Sequence, residues 1–271
     1  MTNHWERYHR HWNLLGAPLR PPAEAVGIIE REAATTDADA LLLGVTPELA
    51  GLGKTMRAVD SSPGMISALW KAGTPSREAV VGSWFDLPLA SGSVDAVIGD
   101  GSLNVVGTSA ERLSMLREMA RVLRPEGRAA IRVFAGPGQR EGIAAIEDDA
   151  RARRIDGFHA FKWRIAMTLA GPEPDFSVRV SEIRDVIDEM FPDRAELSAA
   201  TGWSLEEIGT IDAYVNSDTT YSFATAARLV EEAEILFEEV QLVPSGSYSL
   251  AERCPILVMR QIRENNPKNP G

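Results

Sequence analysis

The chain has 271 residues, with 28 basic against 39 acidic side chains, a formal net charge of −11, and 44% hydrophobic residues. That balance suits a globular protein and argues against nucleic acid or an anionic membrane as partner, since both recruit clustered positive charge. The single cysteine, Cys254, excludes an internal disulfide. No apolar run reaches the roughly 20 residues of a membrane span, and MTNHWERYHRHW lacks a signal-peptide core, so a cytoplasmic protein is expected.

In chain order, the N-terminal segment places Trp5, Tyr8, His9 and Trp12 at one helical spacing. His4, His9 and His11 fall on different faces of such a helix, so no metal site is expected. PPAEAVGIIEREA opens with prolines suited to a helix start and repeats apolar residues at helical spacing. ALLLG is a short uninterrupted apolar run, the pattern of a strand buried on both faces. RAVD, AVVGS and VDAVIGD read as three further strands. Between them SPGMISALWKAG reads as a helix from Ser62 and Pro63 to Gly73. ERLSMLREMARVL places Leu113, Leu116, Ala120 and Leu123 on one helical face, before a break at Arg124–Gly127 and the strand RAAIRVF. This alternation predicts a parallel sheet covered on both faces by helices.

After Phe134 the rhythm changes. Residues 138–216 read as helices, among them VSEIRDVIDEM and SLEEIGTIDAYV, with no strand pattern. From Tyr221 a helix, FATAARLVEEA, leads to two closing strands, LFEEVQLVP and PILVMRQI. The 138–216 segment is therefore expected to be a helical cap inserted after strand five of a single domain (1–271), followed by a flexible tail at 264–271.

The stretch LLLGVTPELAGLGKTMRAVD offers two cofactor loops. Gly53-Lys54-Thr55 matches the end of a triphosphate loop, but the first glycine of that pattern falls on Glu48, and Gly53 lies far beyond the strand end at Gly44. The competing reading starts at Gly44. There Thr46 is the expected N-cap and Pro47 the first residue of a helix whose N–H groups favour a carboxylate. Asp60 ends the next strand and in a parallel sheet stands beside that loop, able to accept from a ribose diol. No glycine path for a pyrophosphate is present, so a cofactor with an amino-acid end and a nucleoside end fits better than a dinucleotide.

Four segments in this order resemble the class I S-adenosylmethionine-dependent methyltransferases: ALLLGVTPELA, AVDSSPGMISALW, VVGSWFDLPLASGSVDAVIGDGSL and LREMARVLRPEGRAAIRVF. The resemblance covers residues 38–135 and 221–263. It implies an α/β, Rossmann-like, mostly parallel seven-stranded sheet of order 3-2-1-4-5-7-6, with helices on both faces. It also implies S-adenosyl-L-methionine as cofactor, held by Gly44, Val45, Thr46, Pro47, Glu48, Asp60, Ser61, Met65, Ser83, Trp84, Asp100 and Gly101. Two departures stand out. Of the usual three loop glycines only Gly44 remains, and Leu42 occupies the position of the usual acid, for which Glu48 is the expected substitute. Ser83 stands where an adenine-binding acid is common, with Trp84 beside it to stack on the adenine.

Family members often close the site with an N-terminal helix, so residues 1–20 are the expected lid, with Trp5, Tyr8 and Trp12 facing the acceptor. From the cap, Trp163, Arg164 and Tyr214 are the matching pocket candidates. A sulfonium methyl is already electrophilic, so transfer needs positioning and exclusion of water, and a base only where the acceptor arrives protonated. His9, Asp100 and His159 are the candidates for any such role. The expected function is methyl transfer to a small molecule. The alternative is a non-catalytic protein of this fold that binds the cofactor or its demethylated product as a sensor or partner subunit.

Overall fold

A computed structural model describes residues 9–71 and 73–263. Seven strands form one sheet: β1 (Asp39–Leu43), β2 (Thr55–Asp60), β3 (Arg77–Val81), β4 (Val94–Asp100), β5 (Leu123–Arg132), β8 (Phe237–Val243) and β9 (Ile256–Ile262). Their spatial order is β3-β2-β1-β4-β5-β9-β8. The first five are parallel, and β9 runs antiparallel to both β5 and β8. This is the expected 3-2-1-4-5-7-6 order once two short strands inside the cap are numbered.

The alternation of side chains along β1 decides what each face buries. Leu41 and Leu43 pack with Met115, Leu116, Met119 and Leu229, which belong to α3 (Ser109–Val122) and α9 (Ala226–Glu234). Ala40 and Leu42 pack with Ile29, Ala33 and Met65, from α1 (Ala23–Ala33) and α2 (Pro63–Leu69) on the other face. Helix α3 starts in a reciprocal cap: the Glu111 amide donates to Thr108 Oγ1 at 3.2 Å, and the Thr108 amide to Glu111 Oε2 at 2.9 Å. Its buried face is centred on Arg112, Met115, Leu116 and Met119. Leu123, expected on that face, already belongs to β5.

Between β5 and α9 lies a cap of α4 (Ile143–Arg151), α5 (Phe158–Leu169), α6 (Val180–Met190), α7 (Arg194–Thr201) and α8 (Leu205–Gly209). It has its own core, in which Phe161 meets Phe191 and Trp203 at centroid distances of 6.1 and 5.3 Å. Contrary to the all-helical expectation, it contains β6 (Ser177–Arg179), paired antiparallel with β7 (Thr220–Ser222). Three residues are too few to show an alternation in sequence.

SLEEIGTIDAYV, read as one helix, splits into α8 and a 3-10 turn, Thr210–Tyr214, and two helices beside the sheet also differ from expectation. α2 begins as read, with Ser62 Oγ accepting from the Met65 amide, but closes at Leu69, before Gly73. After β1 there is no helix at all: residues 47–51 form a turn, with Leu49 N–H on Thr46 O and Ala50 N–H on Pro47 O. The chain must return along the roughly 16 Å of β1, and at 1.5 Å per residue a helix would use about 11 residues. Residues 44–54 number that many, leaving none for the turns at either end. Arg77 from β3 caps the turn instead, donating to the carbonyls of Ala50, Leu52 and Gly53 at 2.7–2.9 Å. Gly53 has φ +80°, and a Cβ there would sit 2.9 Å from Thr55 O. The residues that imitate a triphosphate loop are this tight turn, with Lys54 exposed.

Candidate active site

The carboxyl ends of β1 and β4 are neighbours from which the chain departs in opposite directions, the switch point at which ligands bind in open α/β sheets. A cavity of about 530 Å³ opens there, within the range of small-molecule sites. The ends of β1, β2 and β4 form its floor, α2 and the loop after β3 one side, the segment before α1 a second, and the cap a third.

Gly44 has φ +101°, a conformation that favours glycine, and its amide donates to Val59 O at 2.9 Å. A Cβ on Gly44 would point at Asp60 Oδ2 (3.9 Å) and the Trp84 ring (3.8 Å), so the bare backbone faces both groups. Asp60 Oδ1 accepts the Ser62 amide at 2.8 Å. Burial pushes the Asp60 carboxyl up from 3.8 to about 6, with the Ser62 amide opposing. Trp84 Nε1 donates to Val59 O at 2.6 Å, which fixes the ring beside Gly44.

At the end of β4, Asp100 is held by Arg132, whose Nη2 donates to Asp100 Oδ2 at 3.0 Å while Nε donates to Oδ1. Arg132 is 0% exposed. Burial raises the Asp100 carboxyl above the usual range, and the guanidinium works against it. Burial lowers Arg132, but the charge and hydrogen bonds of Asp100 outweigh it, so Arg132 rises. Gly101 (φ +65°) lets the Phe134 ring approach, since a Cβ would lie 2.8 Å from Phe134 Cε2. Asn104 locks this corner: it donates to the carbonyls of Phe134 and Ser222 at 2.8 and 2.7 Å and accepts the Phe134 amide at 2.9 Å.

Residues 44–131 match the family model described as a methyltransferase domain. Demethylmenaquinone methyltransferase of Mycolicibacterium vanbaalenii is 37% identical over 164 residues, 59% of this chain and 63% of that one. The enzyme of the same name from Mycobacterium sp. (strain KMS) is 35% identical over 59% and 62%. The chain thus spans a little under two thirds of the length of these curated relatives. The CcbJ methyltransferase from Streptomyces caelestis superposes with a TM-score of 0.57 at 16% identity, over 97% of this chain and 99% of that one. N-methyltransferase NodS from Bradyrhizobium japonicum, solved with S-adenosyl-L-homocysteine, gives 0.53 at 13% identity, over 96% and 99%. At such identities the likeness is one of fold. The chain has the class I S-adenosylmethionine-dependent methyltransferase fold.

On this methyltransferase scaffold, Gly44, Val45, Thr46, Asp60, Ser61, Met65, Ser83, Trp84, Asp100 and Gly101 all line the cavity, with Trp12 and Trp163. Pro47 and Glu48 do not: they sit in the turn after β1, and Glu48 is engaged by Arg20, whose Nε donates to it at 2.7 Å. No helix N-terminus stands behind Thr46, so the expected N-cap role is withdrawn.

His159 is 1% exposed in the cap core, off the cavity wall. Its Nε2 lies 3.0 Å from Leu14 O, and since a carbonyl only accepts, Nε2 carries the proton. Burial and the neighbouring Lys162 push its pKa down to about 3. It is a neutral tether and not a base. Lys162 itself is pushed down to about 7 by burial, with Glu207 opposing. Arg164 turns away from the cavity to Glu141 and Asp149, and Tyr214 lies in the cap core beneath Tyr221 (centroids 6.2 Å). His9 opens a 3-10 turn, His9–Leu14, that carries Trp12 to the wall. Trp5 and Tyr8 lie outside the described residues.

Arg132 escaped the sequence reading. Its signal was there: an arginine inside the apolar strand RAAIRVF must find a buried partner.

Proposed function

We propose that this chain transfers a methyl group from S-adenosyl-L-methionine to a small-molecule acceptor held between the carboxyl edge of the sheet and the cap. The observation that carries the reading is the meeting of the bare Gly44 backbone, the Asp60 carboxylate and the Trp84 ring over one cavity. These residues fit the cofactor. Asp60 Oδ2 would accept from the ribose hydroxyls, the backbone of Gly44–Thr46 would hold the amino-acid end, and Trp84 with Met65 would flank the adenine.

The cofactor would supply an electrophilic methyl group, so the task of the chain is alignment and exclusion of water. Asp100 and Phe134 shape the floor beside the transfer position, and Trp12, Leu15, Leu19, Trp163 and Tyr221 close the acceptor side. Among the described wall residues the titratable groups are the carboxylates of Asp60, Asp100 and Asp218 and the phenol of Tyr221, without lysine, arginine or histidine. The net charge of −11 supports a small molecule over nucleic acid or an anionic bilayer. Among the described residues no helix is long and apolar enough to cross a membrane, and we place the protein in the cytoplasm. Residues 1–20 as lid, of which 1–8 lie outside the described residues, and 138–216 as cap of one domain belong to the same proposal; the expected tail at 264–271 lies outside the described residues.

The loss of the helix after β1 favours a second reading, a non-catalytic binder of the cofactor or its demethylated product. Calorimetric titration with both compounds tests the shared premise. Binding at about micromolar Kd, abolished in Asp60→Ala, is expected, and a wild-type protein that binds neither refutes both readings. Transfer of labelled methyl to demethylmenaquinone, the compound in the relatives' name, or to a component of a metabolite extract separates enzyme from binder.

A further inference from the structure

Arg132 touches more of the cavity frame than any expected site residue. Besides both oxygens of Asp100, it donates from Nη2 to Pro18 O at 2.7 Å and from Nη1 to Tyr248 Oη at 3.0 Å. Its guanidinium lies 5.1 Å from the Phe134 ring centroid and 5.8 Å from that of Tyr248. Tyr248 is in turn bonded to Ser245 Oγ at 2.5 Å. One buried side chain therefore joins the end of β4, Phe134 two positions past the end of β5, the loop between β8 and β9, and the segment that leads into α1. Two of its contacts, Asp100 and Phe134, line the cavity, and Pro18 lies between two others, Leu15 and Leu19.

The segment from Trp12 to Arg20 is bonded within itself by short turns, Leu15 N–H on Trp12 O and Arg20 N–H on Gly16 O. Among the described residues, the hydrogen bonds that tie it to the rest of the fold involve side chains. His159 holds Leu14 O at one end, Glu48 holds Arg20 at the other, and Arg132 holds the middle. Of these three side chains, only Arg132 also bonds to the floor of the site, at Asp100. A guanidinium suits the task because its rigid fork of donors can satisfy a carboxylate, a carbonyl and a phenol together, whereas a lysine is a single compact charge.

We propose that Arg132 is a positioning residue, which holds residues 12–20 across the cavity and Asp100 at its floor in one fixed arrangement. The proposal rests on the methyltransferase reading for its consequence, but its geometry does not depend on that reading. Arg132→Lys keeps a cation opposite Asp100 and gives up the bridge to Pro18 and Tyr248. Should Arg132→Lys fail to fold, Arg132→Met combined with Asp100→Asn removes both buried charges together and reads the same segment. In the folded variant, hydrogen exchange at the Leu15 and Arg20 amides is expected to speed up about tenfold or more, while β1 and β4 amides keep their protection. The Kd for S-adenosyl-L-homocysteine is expected to rise about tenfold with the pH profile set by Asp60 unchanged, a combination that general loosening does not produce. Unchanged exchange at Leu15 and Arg20 overturns the proposal. Faster exchange of the β1 and β4 amides in both variants overturns it too, because Arg132 is then a core-packing residue. Absence of binding by the wild type refutes the functional reading alone and leaves the exchange result to decide this one.

Discussion

Replacing Asp60 with asparagine should make the ligand-free protein more stable at neutral pH and less able to bind its ligand. Burial raises the Asp60 carboxyl from 3.8 to about 6. Each unit is worth about 1.4 kcal/mol, so the ionised carboxylate costs the folded chain about 3 kcal/mol. The sign follows from proton counting. Between about pH 4 and pH 6 the folded state binds more protons at this site than the unfolded state, so stability falls as pH rises through that window and stays low above it. An asparagine side chain cannot ionise, and its oxygen can still accept the Ser62 amide that Oδ1 accepts now. Urea unfolding of wild type and Asp60→Asn should therefore coincide near about pH 4 and differ by up to about 3 kcal/mol, in favour of the variant, near about pH 8. Ribose hydroxyls would favour the charged carboxylate, so wild-type affinity for S-adenosyl-L-homocysteine should weaken up to about tenfold per unit below about pH 6. A variant no more stable than wild type near pH 8, or a stability difference independent of pH, refutes the assignment of the burial cost to Asp60.

Gly44→Ala should lose ligand binding measured by calorimetry, because the new methyl enters the space between Asp60 and Trp84. The φ of +101° adds strain of about 1–2 kcal/mol, readable in urea unfolding. Glu232→Ala should destabilise by about 3–5 kcal/mol in the same assay, since it leaves Arg112, 1% exposed and now 2.7 Å from Glu232 Oε2, without its carboxylate.

The expected strands and the two helical layers appear in the structure because periodicity of apolar residues is a local property, and their order is the one the family resemblance implied. Leu41–Leu43 and the helical repeats of α1 and α9 read correctly whatever surrounds them, and α3 was read as a helix with its buried face set partly off. Asp60 was equally legible, as an acid at the end of a strand that an adjacent loop must face. The turn after β1 was misread because Thr46-Pro47 is a sound helix start by local rules. What defeated it was distance: the return path along β1 is too long for a helix plus two turns, a constraint set by the sheet. Pocket candidates in the cap fared unevenly for a related reason. Trp163, Arg164, His159 and Tyr214 all lie in cap segments whose inward face the sequence does not mark, and only the packing of α5 decides that Trp163 faces the cavity while Arg164 turns to Glu141 and Asp149.

The sequence by itself determined which segments form the seven-stranded sheet and the helices against it, because burial on one face or two is written in their apolar spacing. It also placed Gly44 and Asp60 at the ends of successive strands, while the strand order came from the family resemblance. Only the tertiary structure decided who shares a wall. Asn104 and Trp12 line the cavity from positions 104 and 12, Arg132 stands behind Asp100 and Phe134, and the partners of Arg132 and Asn104 are buried donors and acceptors that no local pattern pairs. Charge inside a strand has to be answered somewhere in the fold, and the fold alone chose Asp100, Pro18 and Tyr248 to answer it.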